Sequence, residues 1–327
     1  MMNLPSLRHL WHLTALHDHG HFGRAAEACH VTQSTLSASI KELEGALETT
    51  VVDRSKRRVV FTPVGIETVE RARKIVKEVE DLVSFTSGSR EPLSGTLRMG
   101  TIPTIGPFLL PRVLRSLRHA YSRLRLYLVE DLTERLIDSL HRGQLDVVLL
   151  ALPYDCGAVE TVILFEDPFV VGLPREHLLA KETCIKPERL WREDLLLLKD
   201  GHCLRDHALA VCRLADRRLT EGFEATSLPT LVQMVDNGLG TTLLPRLAVD
   251  AGLLQGTNLV TRPLLSHDAV RKIGLVWRRG TGRRHEFRLL AKELMERAKL
   301  KSKPAPHLYN KPRAPHSNKP AYRKPRA

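Results

Sequence analysis

No apolar run in this 327-residue chain is longer than Val147-Val148-Leu149-Leu150-Ala151-Leu152. A membrane-spanning helix needs roughly 20 such residues, so no span is expected. The start, Met1-Met2-Asn3-Leu4-Pro5-Ser6-Leu7-Arg8-His9, lacks the basic-then-apolar plan of a secretory signal, which points to the cytoplasm. Cysteine is scarce and odd in number: five, at 29, 156, 184, 203 and 212, with no framework spacing. In a reducing compartment that excludes a disulfide scaffold. Large rings are few, with aromatics at 5% against 43% hydrophobic residues, which fits a soluble α/β protein. His9, His12, His17, His19 and His21 cluster near the start without cysteine or carboxylate partners at ligand spacing. They read as a solvated helix and loop, and neither metal nor cofactor is expected.

Acid is missing from the other end. From Lys301 onward there are eight Lys or Arg and no Asp or Glu, so residues 1–300 carry only +5 of the net +13. With six prolines, the segment 301–327 cannot bury enough apolar surface to order itself. It reads as a solvated tail, and a sequence-independent hold on DNA phosphates is the sharper alternative.

What is present falls into three regions, a number that the length allows. Residues 1–62 read as a small helical DNA-binding unit. Leu7, Leu10, Trp11, Leu13 and Ala15 suggest a first helix, and Phe22, Ala25, Ala26 and Cys29 a second. Thr32 is placed to cap a third through its hydroxyl. Leu36, Ile40, Leu43 and Leu47 give that helix one buried stripe. Gln33, Ser37 and Lys41, with Ser34, share a polar edge able to reach base edges and phosphates in a major groove. Asp53 to Phe61 reads as a hairpin whose basic tip, with Arg54, Arg57 and Arg58, would hold backbone phosphates. A polar surface helix is usually just a surface helix; the ordered series of helix, turn, capped helix and basic hairpin favours DNA.

Thr62-Pro63 offers the start of a helix reaching about Ser87. Val69, Ala72, Val76, Val79 and Val83 make a heptad seam along which two copies could pair. Packing on the chain's own first helix competes with that reading. Ser87 to Pro92 is a hinge, so residues 63–90 form a linker and dimerisation segment. Residues 91–300 alternate strands (Thr96–Thr101, Arg125–Glu130, Leu145–Leu152) with helices (Pro107–Tyr121, Thr133–Arg142), which argues for a mostly parallel sheet. Further strands are expected at Pro168–Leu173, Leu195–Leu198, Gly240–Leu244 and Ile273–Trp277, the last returning to the first subdomain before a helix at Arg284–Ala298. Ligands of such sheets gather at strand carboxyl ends. Thr101-Ile102-Pro103-Thr104-Ile105-Gly106-Pro107 is such a junction, and Glu130-Asp131-Leu132-Thr133 is its analogue.

Cys203 stands in Gly201-His202-Cys203-Leu204-Arg205-Asp206, with Cys212 nine residues on. His202, Arg205 and a loop-to-helix boundary all could favour the thiolate of Cys203. If the segment is helical, nine positions advance it by about 13.5 Å and roughly 2.5 turns, leaving the sulfurs on opposite sides. Cα atoms of a disulfide lie about 4.4–6.8 Å apart, so joining this pair requires the helix to unwind. The pair is a candidate switch. Cys156 and Cys184 read as inert packing.

Phe22-Gly23-Arg24-Ala25-Ala26-Glu27, Thr32-Gln33-Ser34-Thr35-Leu36-Ser37, Leu43-Glu44, Thr62-Pro63-Val64-Gly65 and Gly238 to Pro245 together resemble the LysR-type transcriptional regulators, up to about residue 300. The resemblance implies an α/β chain with an N-terminal winged helix-turn-helix, a dimerising linker helix and two α/β subdomains like those of periplasmic binding proteins. It implies a regulator rather than an enzyme, a homodimer or homotetramer bound to double-stranded promoter DNA, with RNA polymerase a further partner. Thr35 joins the DNA-contacting set. The 201–206 segment with Cys212, and the 101–107 junction, look like those of the family's hydrogen-peroxide sensors. That likeness implies Cys203 as the peroxide-reactive thiolate, Cys212 as its disulfide partner, and Thr104, Thr133, His202, Asp206 and Arg271 as shaping the site. Cys212 would be buried in the reduced state with Leu204, Ala208, Val211 and Ala215. One departure is Leu47-Glu48, where the family usually places Leu-Gly, losing the permissive residue of that turn. Competing readings are an organic effector in the cleft between subdomains, a thiol peroxidase, and a transporter's solute-binding protein.

Overall fold

The computed structural model describes residues 4–53, 58–86, 92–212 and 225–298. Three helices open the chain: α1 (Leu7–His19), α2 (Phe22–Ala28) and α3 (Gln33–Leu47). Each is started by a side-chain cap. Ser6 accepts from the His9 amide while the His9 ring accepts from the Ser6 amide; His21 Nδ1 accepts from Gly23. Thr32 Oγ1 accepts from the Thr35 amide at 3.2 Å, as expected. Leu36, Ile40 and Leu43 are buried with Leu13, Leu16 and Ala25, so the stripe on α3 holds, with Leu47 only partly covered. Leu7 and Trp11 are exposed instead, because Leu10, Leu13 and Leu16 occupy the inner face of α1. The histidines are not simply solvated either: His12 is buried, 2.7 Å from Ser39 Oγ, and His9 pairs with Glu42. Helix α3 ends at Glu48 in the left-handed region, φ 51°, its amide turned back to Glu44 and Gly45. The turn keeps its shape on a residue with a Cβ, at roughly 1–2 kcal/mol. β1 (Val52–Asp53) and β2 (Val60–Phe61) pair antiparallel as a hairpin. Its tip residues Arg54 and Arg57, the hinge at 87–91 and the basic tail lie outside the described residues.

The long helix α4 (Pro63–Thr86) starts where Thr62 Oγ1 accepts from Gly65. Val69 and Ala72 are buried in the helix-turn-helix core, with Val76 against it. The first half of the expected seam therefore packs on its own domain; Val83, further along, is exposed. Past this point α4 is fastened to the next region by buried charge. Lys77 Nζ lies 2.7 Å from Asp146 Oδ1, and Arg283 Nη1 lies 3.2 Å from Asp146 Oδ2. Asp146 also accepts from the Arg98 amide.

Then follow β3 (Gly95–Thr101), α5 (Gly106–Ala120), β4 (Leu124–Glu130), α6 (Thr133–His141), β5 (Val147–Leu152) and β6 (Val159–Pro174). After them come β7 (Leu195–Leu196), α7 (Cys203–Cys212), α8 (Leu228–Asp236), β8 (Thr241–Pro245), α9 (Arg246–Asp250), β9 (Leu259–Pro263), β10 (Val270–Arg278) and α10 (Arg284–Ala298). One sheet runs β4-β3-β5-β10-β6-β8-β7, with β9 also on β6. It is mixed, not mostly parallel. β6 carries the chain from the first subdomain into the second and β10 carries it back, so the two pair antiparallel. β10 also pairs with β5, the expected return. β6 begins nine residues before the expected Pro168, its apolar signal broken by Glu160, Glu166 and Asp167. Two cores result, one around Leu149, Ile273 and Trp277, the other around Val171, Leu196 and Leu244.

Two measurements check these constraints. Glu48→Gly relieves the left-handed turn and raises unfolding stability by about 0.5–1 kcal/mol in denaturant titration. Burial opposes ionisation of Asp146, yet Lys77 and Arg283 hold its carboxyl below the ordinary value. Such a carboxylate stabilises the fold above its unfolded pKa and loses that contribution as pH falls through the folded one. Asp146→Asn therefore costs about 3 kcal/mol at neutral pH, a difference from wild type that shrinks below about pH 4.

Candidate functional site

Strands β3 and β4 are parallel neighbours, so the loops after them, 102–105 and 131–132, open side by side at the sheet's carboxyl edge. The N-terminus of α7 closes over them. Between the three lies a cavity lined by Ile102, Pro103, Thr104, Leu132, Thr133, Gly201, His202, Cys203 and Leu204. Its free space is about 180 Å³, open mouth included. Gly201, at φ 92°, makes the turn that delivers His202 and Cys203 there. Four expected residues thus meet: Thr104, Thr133, His202 and Cys203. Asp206 is exposed a turn further along α7, and Arg271 acts from behind.

Arg271 is fully buried on β10 and reaches across the subdomain boundary. Its Nη1 donates to Thr104 Oγ1 at 2.8 Å and its Nη2 to the Thr104 carbonyl at 2.9 Å. Its Nε donates to Asp167 Oδ2, while Asp167 Oδ1 accepts from the Leu247 amide. Because Thr104 Oγ1 accepts from the guanidinium, its own O–H is left to donate elsewhere. Thr133 Oγ1 is buried with no nitrogen or oxygen partner among the described residues.

Cys203 is 4% exposed. Burial holds its thiol above the ordinary value, and Thr133 and Arg271 offset only part of that rise. The expected thiolate helpers do not act as supposed. Burial lowers the pKa of His202, keeping the ring neutral. Arg205 turns away to Asp200 at 2.6 Å and the Leu198 carbonyl. Across α7 the second thiol lies in the other core with Leu204, Ala208 and Val211, and burial raises it to about 12. Cys203 belongs to the first core. The opposite-sides expectation therefore holds; Ala215 lies outside the described residues. Cys156 is buried in the first core, its thiol raised to about 11 chiefly by burial.

On the DNA-binding unit, Thr32, Gln33, Ser34, Thr35 and Lys41 are exposed at the outer edge and start of α3, with Ser37 half-buried among them; Arg58 is exposed by the hairpin. Thr32 also bonds the hydroxyls of Ser34 and Thr35, so capping and recognition share atoms.

Residues 7–66 match the bacterial regulatory helix-turn-helix family of lysR type, and residues 90–299 match the LysR substrate binding domain. The chain belongs to the LysR family of transcriptional regulators. Among its LysR-type relatives is the DNA-binding transcriptional dual regulator OxyR of Escherichia coli, 40% identical over 89% of this chain and 95% of that one. A full-length OxyR of Pseudomonas aeruginosa carrying a cysteine-to-aspartate change superposes with a TM-score of 0.76, at 35% identity over 88% of this chain and 94% of that one. A cysteine-to-serine OxyR of Corynebacterium glutamicum, solved with hydrogen peroxide bound, gives 0.60 at 32% identity over 90% and 94%.

Asp167 was not foreseen as part of this LysR-type site. Its signal was a pair of acids, Glu166-Asp167, inside an apolar strand. Arg271→Gln strands that buried carboxylate and costs about 3–5 kcal/mol of stability by thermal or denaturant unfolding. Adding Asp167→Asn recovers part of the loss; strict additivity would show that the two groups are not coupled.

Proposed function

We propose that this LysR-type regulator senses hydrogen peroxide with Cys203 and transmits the signal through a Cys203–Cys212 disulfide to promoters of peroxide-defence genes. The observation that carries the reading is the cavity: a buried thiol, two hydroxyl donors and a neutral imidazole meet at a strand edge. The space beside the thiol is narrow and open to solvent, which suits a solute of peroxide size. The relatives described as hydrogen peroxide-inducible genes activators, and the OxyR structure containing peroxide, support it.

Peroxide binds with the Thr104 hydroxyl as donor, and with Thr133 and His202 beside it. The Cys203 thiolate attacks one oxygen, the O–O bond breaks, and hydroxide leaves to take a proton, giving a sulfenic acid and water. Cys212 then attacks the Cys203 sulfur; the S–O bond breaks and water leaves as the disulfide forms. Helix α7 must open first, and exposing Leu204, Ala208 and Val211 costs on the order of 5 kcal/mol, which the disulfide offsets. Comparable stability of two distinct shapes makes a switch. Exposed Tyr127, Leu128 and Val129 on edge strand β4 support pairing with a second copy, through which the change reaches the DNA-binding units. Thr32, Gln33, Ser34, Thr35, Ser37 and Lys41 enter the major groove, and the Arg54, Arg57 and Arg58 wing holds phosphates. No described helix is long and apolar enough to cross a membrane. The chain's proposed place is on cytoplasmic DNA, with RNA polymerase as the downstream partner.

Cys203→Ser abolishes the peroxide-dependent change in operator footprint and leaves basal DNA binding intact. Cys212→Ser leaves a sulfenic acid that trapping reagents capture. A fully responsive Cys203→Ser protein contradicts the reading, and sustained peroxide turnover with a reductant would make the chain a peroxidase instead.

A further inference from the structure

Helix α7 lies astride the seam between the two cores, and its faces divide by residue. Leu204, Ala208, Val211 and Cys212 face the second core. Cys203 faces the first, and His207, one helical turn on, shares that side. His207 Nε2 lies 3.0 Å from the carbonyl of Pro153, just after β5 in the first subdomain. A carbonyl oxygen only accepts, so Nε2 carries the proton and donates. The other ring nitrogen is buried without a partner among the described residues. Burial lowers the pKa of this ring first of all, the Pro153 carbonyl opposes that, Arg271 lowers it and Asp206 raises it. At the far end, Trp191 Nε1 donates to the Cys212 carbonyl at 2.9 Å and ties α7 to the second subdomain.

We infer that His207 is a positioning residue that clamps α7 to the first subdomain through Pro153 and so sets how readily Cys212 reaches an oxidised Cys203. The ring touches neither thiol in this role. It holds the helix that must let go before sulfur meets sulfur, so removing the donor speeds closure without altering the capture of peroxide. The inference deepens the peroxide-switch reading and rests on it for the redox readout, though the clamp itself exists in the reduced protein.

The test uses the full chain in three forms: wild type, His207→Phe, which keeps a ring of similar size and loses the donor, and His207→Gln, which keeps a donor on a side chain of comparable reach. In the reduced proteins, amide exchange over residues 204–212 is expected to quicken about five-fold in His207→Phe, the size of one lost hydrogen bond, and to return towards wild type in His207→Gln. After one equivalent of peroxide, the rate of Cys203–Cys212 bridging should rise by a similar factor in His207→Phe, with the rate of sulfenic acid formation unchanged. Exchange and bridging equal in wild type and His207→Phe overturn the clamp. So does a His207→Gln protein that behaves like His207→Phe, since a packing role alone would produce that. Should His207→Phe fold poorly, an unfolding transition of His207→Gln matching wild type and unchanged α7 exchange in it still support the hydrogen bond, while loosened α7 exchange in a well-folded His207→Gln overturns it. If no variant forms the bridge but exchange follows the donor, the peroxide-switch reading falls while the clamp stands.

Discussion

One helix with a thiol in each of two cores sets the terms for everything else in the regulatory region. Cys203 and Cys212 are fixed at opposite ends and opposite sides of α7 by helical geometry. Cys203 packs with the core of the first subdomain and Cys212 with that of the second. No rotamer change closes such a gap, because the backbone between them is hydrogen-bonded. A covalent bond between the two sulfurs is therefore a statement about the fold of the segment. In the proposed switch this couples a local oxidation to a change of surface.

The wall opposite α7 is tied together by hydrogen bonds and a buried ion pair. Arg271, Asp167 and Thr104 join β10, β6 and the loop after β3 in one buried ion-paired cluster, and Asp167 also accepts from the Leu247 amide in the first turn of α9. The guanidinium thus does two things at once: it aims the Thr104 hydroxyl and offsets part of the rise that burial imposes on the Cys203 thiol. In the proposed switch the bonded wall binds and the facing helix responds. At the other end of the region, Lys77 and Asp146 tie the linker helix to the first subdomain, giving any movement there a route toward the DNA-binding unit.

Much of this was legible in the residues. The caps at Thr32 and Thr62, the stripe on α3 and the junctions after β3 and β4 are local patterns, set by spacing and hydrogen-bonding chemistry, and they appear as read. So does the separation of the two cysteines, since a helix fixes it by arithmetic alone. What was not legible depends on distant partners. The direction of β10 follows from the chain crossing twice between subdomains, which no window of sequence contains. The thiolate reading of Cys203 counted neighbours along the chain, but Arg205 faces Asp200, and the cation that matters comes from 68 positions later on β10. Val69 and Ala72 kept heptad spacing yet serve the domain's own core, because apolar periodicity says that a face is covered and not by what.

The most direct test of the account is amide hydrogen exchange across α7 in the full-length protein before and after one equivalent of hydrogen peroxide, with peptide mapping of the cysteines in the same samples. Slow exchange over residues 203–212 when reduced, fast exchange once the Cys203–Cys212 bridge has formed, and unchanged protection in α5 and α6 are the predicted outcome. A bridged protein whose α7 amides remain as protected as before would contradict it.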